Sequence, residues 1–413
     1  MRRGVAALLP LFLATCSSSS APEEVRSALA HEENPPADGL AARVAANTDF
    51  AVSLYKNAAA DETRNLVFSP HSVSTVFAML YVGANGETAE QIANVFGFTP
   101  SVHADNNYLD MKLASREQQA DAAGTPFALR TASSMWGQAG APFTAPFLDT
   151  LAVNYDAGIH VVEFADFEGA RQQINGWVND NTASHIPELI PKGVLTDRTK
   201  LVLTNAIYMK AAWVVKFDAD RTADQTFHVP SGDMPVAMMH GNPEARFVST
   251  DSYSAVELPY DGVPVSMTIV MPNDLAGFEA TLSRSALDEM SSAMGLRAVD
   301  LALPKFEFSQ SLDLGAALPQ LGVTDAFDSA RVDLTGVDND PSLFVQSALT
   351  KGFISVDEDG TTAAAATEVA AGDDAGGPEP ATMTVDRPFL FFVRDMETHE
   401  ILFIGRVVNP QVH

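Results

Sequence analysis

Between Leu40 and Gly372 the chain has no stretch of linker composition, and this continuity limits the possible folds more than any other feature of the sequence. Length alone allows one large domain or two small ones; the missing linker selects one. Single hydrophobic cores usually stop growing near ~250–300 residues, so an undivided body of this size is above the usual range but is permitted for large mixed folds. At 46% hydrophobic content, the 413 residues can supply such a core. The core acts alone, because Cys16 is the one cysteine and no intramolecular disulfide can form. No internal repeat is visible.

The first 45 residues read differently. Met1-Arg2-Arg3 precede an apolar run from Val5 to Ala14 that is broken at Pro10. A charged start and a short apolar centre mark a secretory signal, and the run is too short to cross a bilayer. It ends Leu13-Ala14-Thr15-Cys16 before four serines, which resembles the bacterial lipobox, where small residues precede a cysteine that is lipidated at the new N-terminus. Thr15 departs from the usual glycine, alanine or serine. Residues 1–16 are thus expected to be a signal peptide with Cys16 its lipidation site, the alternative being ordinary cleavage near Ala14. Residues 17–45 are expected to form a flexible tether, most clearly from Ser17 to Gly39, where Ser, Ala, Glu and Pro dominate and Pro35-Pro36 interrupts regular structure. The folded domain is then 46–413, exported, and either lipid-anchored at the cell envelope or secreted, with the lipid its only route to a membrane.

Within the body, apolar residues recur at helical spacing from Ala42 to Tyr55, and the turns Ser69-Pro70-His71 and Gly86-Glu87-Thr88 predict helices over 72–82 and 88–96. Arg171 to Ser184 carries Ile174, Trp177 and Val178 on one face of another. Leu201–Met209, Ala255–Leu258, Ser266–Met271, Val299–Leu303 and Phe389–Arg394 are apolar, β-branched or aromatic and end at turn residues, which predicts strands. Helices dominate the first half and strands the second, so the fold class is α+β with a substantial antiparallel or mixed sheet.

Composition excludes partners rather than naming one. With 53 acidic against 25 basic side chains the formal charge is −28, which repels nucleic acid and heparin-like polyanions. Catalytic patterns are missing too: there is no Gly-x-Ser-x-Gly elbow, zinc-binding His-Glu-x-x-His or phosphate-cradling Gly-x-x-x-x-Gly-Lys. Nine histidines, among them His71, His160, His185 and His240, stand singly. Neither a cofactor nor a metal is expected.

The segment from Val356 to Pro380 stands apart. Four consecutive alanines favour helix, the threonines around them favour strand, and the glycines and prolines after Gly372 favour exposed coil, so no single structure is specified. By itself it reads as a long surface loop of the kind that is functional or disordered.

Its flanks resemble the serpin family over nearly everything from Thr48 to Pro410. The motifs run in order: Asn65-Leu-Val-Phe-Ser-Pro-His-Ser72, Met79, Gly83-Ala84, Gly86-x-Thr88 and Gln91-Ile92; then Ile174-Asn175-x-Trp177-Val178 and Thr204-Asn-Ala-Ile-Tyr-Met-Lys-Ala-Ala-Trp213. Glu257-Leu-Pro-Tyr260, Leu303-Pro-Lys-Phe306 and Leu321-Gly322 follow, and after the hinge at Glu358 to Thr367 the chain closes with Asp386-Arg-Pro-Phe-Leu-Phe-Phe392 and Ile404-Gly-Arg406.

The resemblance implies a large central sheet, surrounding helices and an exposed reactive-centre loop, here about 358–380. It implies suicide inhibition of an extracellular serine or cysteine protease by a monomer that is not itself an enzyme: the protease cleaves the loop, and the loop enters the central sheet as a new strand. A non-inhibitory serpin serving as a surface binding or structural protein is the alternative. The hinge is Glu358, Gly360, Thr361, Thr362, Ala363, Ala364, Ala365, Ala366 and Thr367. Counted inward from Thr361, the buried set of the inserted strand is Thr361, Ala363, Ala365, Thr367, Val369 and Ala371, which places Glu368 outward. Lys305 and Glu358 match the pair that closes the top of the sheet beside Trp213. Ser69, Ser72 and Asn205 match a hydrogen-bonding cluster beneath the opening, where this chain has Thr350 in place of the family's usual histidine. A shorter hydroxyl is expected to alter that network. Seventeen residues counted from Glu358 put the scissile bond at Asp374-Ala375, whereas Val369, Ala370 and Ala371 would suit an elastase-like or subtilisin-like protease.

Overall fold

The computed structural model describes residues 22–60, 64–229, 231–361 and 380–411. The helices begin where local chemistry places them. Pro70–Tyr81 (α2) starts one residue after Ser69, whose Oγ accepts the Ser72 amide, with Pro70 at the first position, where its missing N–H costs nothing. Gly86–Phe96 (α3) ends at Gly97, whose φ of 63° suits glycine. α1 (Leu40–Ala58), α4 (Val102–Ala123), α5 (Ala145–Tyr155) and α6 (Phe167–Asn181) are the other long helices of the first half. The five expected strands are all present, each longer than its apolar centre: Leu201–Ala212, Tyr253–Pro259, Val265–Pro272, Gly295–Pro304 and Phe389–Asp395.

The central sheet has eight strands: β1 (Glu24–Val25), β2 (Phe127–Thr131), β3 (Ser134–Gln138), β4 (Ile159–Val162), β5 (Leu201–Ala212), β6 (Phe306–Asp313), β7 (Ser347–Val356) and β8 (Gly360–Thr361). Across the sheet they lie β1, β4, β3, β5, β8, β7, β6, and β2 joins the upper half of β5. A ten-stranded second sheet carries the C-terminal strands Ile401–Val407 and Phe389–Asp395 next to its edge strand Leu66–Phe68. One core packs Ile207, Met209, Ala211, Ile354 and Val356 of the central sheet against the second sheet. Another lies among α1, α2 and α3, and a third holds α6 on the opposite face of the central sheet through Ile174 and Val178.

The expected tether does not hang free. Residues 1–21, including Cys16, lie outside the described residues, but from Glu23 onward the chain is docked. Glu24 and Val25 pair with His160 and Ile159 at the edge of the sheet, Arg26 forms an ion pair with Asp156, and the Glu32 amide donates to Val153 O at 2.9 Å. The Asn107 amide then donates to Glu32 O at 2.9 Å, and α1 begins at Leu40, inside the expected tether. A sheet edge offers unpaired backbone groups to any sequence, so a segment with little apolar surface can dock there. Composition does not reveal that.

Buried charge ties the helices beneath the sheet. His71 on α2 is 4% exposed, with Nε2 2.9 Å from Asp110 of α4 and Nδ1 3.3 Å from the fully buried Glu400. Burial alone would lower its pKa, but the two carboxylates outweigh that and raise it to about 9. A histidine whose folded pKa exceeds its ordinary 6.5 contributes stability that is fully present below about 6.5 and is lost as pH rises through about 9. Urea unfolding of the wild type should therefore show stability falling between pH 6.5 and 9, with a shallower fall in His71→Gln. Parallel pH profiles for the two proteins would assign the titration elsewhere.

Candidate functional site at the seam of the central sheet

β5 and β7 run parallel and pair directly from Val202 and Ser347 up to Ile207 and Gly352, and there the direct pairing stops. At the top of the seam the chain itself enters between the two strands. After Val356 it reverses in a tight turn: Asp357 Oδ1 accepts the amides of Asp359 at 3.0 Å and Gly360 at 3.2 Å, and the Asp357 amide donates to Gly360 O. β8 then descends antiparallel to both neighbours, with Gly360 opposite Ala212 and Thr361 opposite both Ala211 and Val356. Only glycine fits at 360, since a Cβ there would sit 2.0 Å from Ala211 O. Thr361, from which the alternation is counted inward, is 2% exposed.

The turn is anchored on every side. Trp213 donates from its amide to Asp359 O at 3.0 Å and from Nε1 to Asp357 O at 3.1 Å, and the Phe217 amide donates to Glu358 O at 2.9 Å. Lys305, just before β6, reaches Glu358 Oε2 at 2.6 Å, while Thr222 donates to Glu358 Oε1 at 2.7 Å. Partial burial pushes the Glu358 pKa up, yet these hydrogen bonds hold it below the ordinary carboxylate value, so it stays charged. Lys216 pairs with Asp359 at 3.0 Å. The expected Lys305, Glu358 and Trp213 therefore meet as read, whereas the supporting Thr222, Lys216 and Phe217 carry no signal of their own in the sequence. Tyr260 also belongs here, stacked on Trp213 with centroids 4.6 Å apart and its hydroxyl 2.6 Å from Thr361 Oγ1. It closes the Glu257 to Tyr260 motif, which is its one visible sign.

Lower down, the expected hydrogen-bonding cluster divides. Thr350 Oγ1 donates to Asn205 Oδ1 across the seam at 2.7 Å, and Asn205 donates to Ser133 Oγ at 2.8 Å. The shorter hydroxyl at 350 thus still spans the two strands. Ser69 and Ser72 do not join this network: Ser69 Oγ is occupied as the cap of α2, and Ser72 Oγ has no hydrogen-bond partner among the described residues. On the opposite face His185 spans the two strands, its ring stacked on Tyr208 of β5 at 4.4 Å and tilted against Phe353 of β7 at 4.6 Å. Thr362, Ala363, Ala364, Ala365, Ala366, Thr367, Asp374 and Ala375 lie outside the described residues.

A two-sheet α+β body with a glycine-led hinge seated at the top of a parallel seam defines a class of protein, and comparison with known proteins agrees. The profile of the family Serpin (serine protease inhibitor) matches residues 45–410, and the chain belongs to that family. A serpin-like protein of Thermococcus kodakarensis is 36% identical over 379 residues, covering 89% of this chain and 86% of that one. Leukocyte elastase inhibitor A of Mus musculus is 35% identical over 381 residues, covering 88% and 98%. The crystal structure of native protease nexin-1 with heparin superposes with a TM-score of 0.80 at 27% identity, covering 90% of this chain and all of that one.

Because Glu358 is the charged anchor shared by Lys305 and Thr222, Glu358→Lys would set a third cation beside Lys305 and Lys216. The turn should come free, and on mild warming the variant should form loop-inserted or polymeric species several-fold faster than wild type on native gels. Equal rates would show that the pair does not hold the turn.

Proposed function

We propose that this serpin traps a serine protease by offering the loop after Thr361 as bait and drawing the cleaved loop into the seam between β5 and β7. The observation that carries this reading is the register of β8. Continued downward, it sets Ala363 opposite Met209 and Ile354, and Ala365 opposite Ile207 and Gly352, at the first direct rung. Thr367 would then arrive between Asn205 and Thr350, the pair that hydrogen-bonds across the seam. Every inward residue down to there is small, so the strands need part only to admit a backbone. A hydroxyl at 367 can replace the bond that insertion breaks. The protease, still acyl-linked to the cleaved loop, would be carried along the sheet before water could release it.

A bond at Asp374-Ala375 leaves a strand long enough to pass the whole seam and implies a protease that accepts acidic residues. Val369 to Ala371 fit an elastase-like enzyme, the activity in the name of the mouse relative, but cleavage there shortens the inserted strand. Heparin accompanies protease nexin-1 in its crystal structure and is not extended to this chain, whose charge is −28.

Thr361→Arg tests the mechanism. A guanidinium in place of Thr361 would face Ala211 and the buried Tyr260 without a counter-charge, and burying an unpaired charge disfavours insertion strongly. The variant should be cut at the same bond as wild type but turned over as substrate, with the covalent complex on denaturing gels reduced at least tenfold. Undiminished complex would contradict the proposal.

A further inference from the structure

The contact between Tyr260 and Thr361 joins two hydroxyls that are both buried, at 1% and 2% exposure, and among the described residues each finds its side-chain hydrogen bond in the other. The Tyr260 ring is fixed by stacking on Trp213 with only 10° between the planes, and Trp213 is itself bonded to the carbonyl of Asp357 in the turn. Backbone pairing of Trp213 with Tyr260 joins the top of the central sheet to the strand ending at Pro259. The hydroxyl is thus presented at a set point on the inward side of the seam, where the first inserting side chain must pass. Burial raises the tyrosine pKa, so the group stays protonated and able to donate.

We propose that Tyr260 is a positioning residue for loop insertion: it holds Thr361 on the inward face of the seam before the loop is cut, so that insertion starts from a seated hinge. This deepens the inhibitory reading and rests on it, because a seated hinge matters for trapping only if insertion races hydrolysis of the acyl-enzyme. Removing one hydroxyl strands the other in a dry site, and expelling the hinge into water then becomes the better alternative. Removing both leaves an apolar pair of nearly the same shape, which returns the hinge to its place.

The test is a cycle of Tyr260→Phe, Thr361→Val and the double variant, read in two ways. The number of inhibitor molecules consumed per protease trapped should rise severalfold in each single variant and return to within about twofold of wild type in the double. Hydrogen exchange of the peptide spanning 357–361 in uncut protein should rise in each single variant and fall back in the double. A merely structural tyrosine would give losses that multiply in the double, and that result, or single variants that behave as wild type in both readouts, overturns the proposal. If wild type traps no protease while the exchange pattern holds, the positioning role stands and the inhibitory reading fails.

Discussion

The structure turns on where the pairing of β5 with β7 ends. Below Gly352 and Ile207 two parallel strands share a continuous ladder; above them a turn and two residues of a third strand occupy the space. Buried backbone groups must be partnered, so where two strands of a sheet part another segment has to pair with them. The protein meets that demand at the very top with its own hinge. Three residues on each strand, Tyr208 to Lys210 and Phe353 to Ser355, separate the hinge from the closed ladder. The residues that follow in the sequence, Thr362 to Ala366, are all small.

Two sets of forces hold this arrangement. Charge and hydrogen bonds fix the turn from outside, through Lys305, Lys216, Thr222 and the amides of Trp213 and Phe217. Side-chain bonds across the seam close it from below, through Thr350 and Asn205, and aromatic stacking of His185 on Tyr208 and Phe353 spans it from the opposite face. In the proposed mechanism the first set keeps the loop from descending early. The second must yield one contact at a time as a strand advances, and none of its members is a charge pair, so each step costs little beyond a hydrogen bond that the incoming strand can re-form.

Much of this is legible in the sequence because the signals are local. Ser69 before Pro70 starts a helix by a mechanism that needs no tertiary context. The alternation is counted with Thr361 inward, and Thr361 is buried between the strands. What cannot be read depends on contacts distant in sequence or made by the backbone. Composition suggests that residues 17–45 are loose, yet Glu24 and Val25 are held by the main chain of β4. Resemblance groups Ser69 and Ser72 with Asn205, but the cap of α2 claims Ser69. That Thr361 already lies between the strands, its hydroxyl against that of Tyr260, is a contact distant in sequence that no pattern within the loop reports.

The central claim is that the seam will accept the rest of the loop as a strand. Differential scanning calorimetry of intact protein and of protein cut once in the loop tests it most directly. A strand paired on both sides adds many backbone hydrogen bonds and buries the inward side chains, so the cut protein should unfold roughly 10 °C or more above the intact one. Equal unfolding temperatures, or a lower one for the cut chain, would show that the loop stays outside the sheet and that the seam is a fixed feature of the fold.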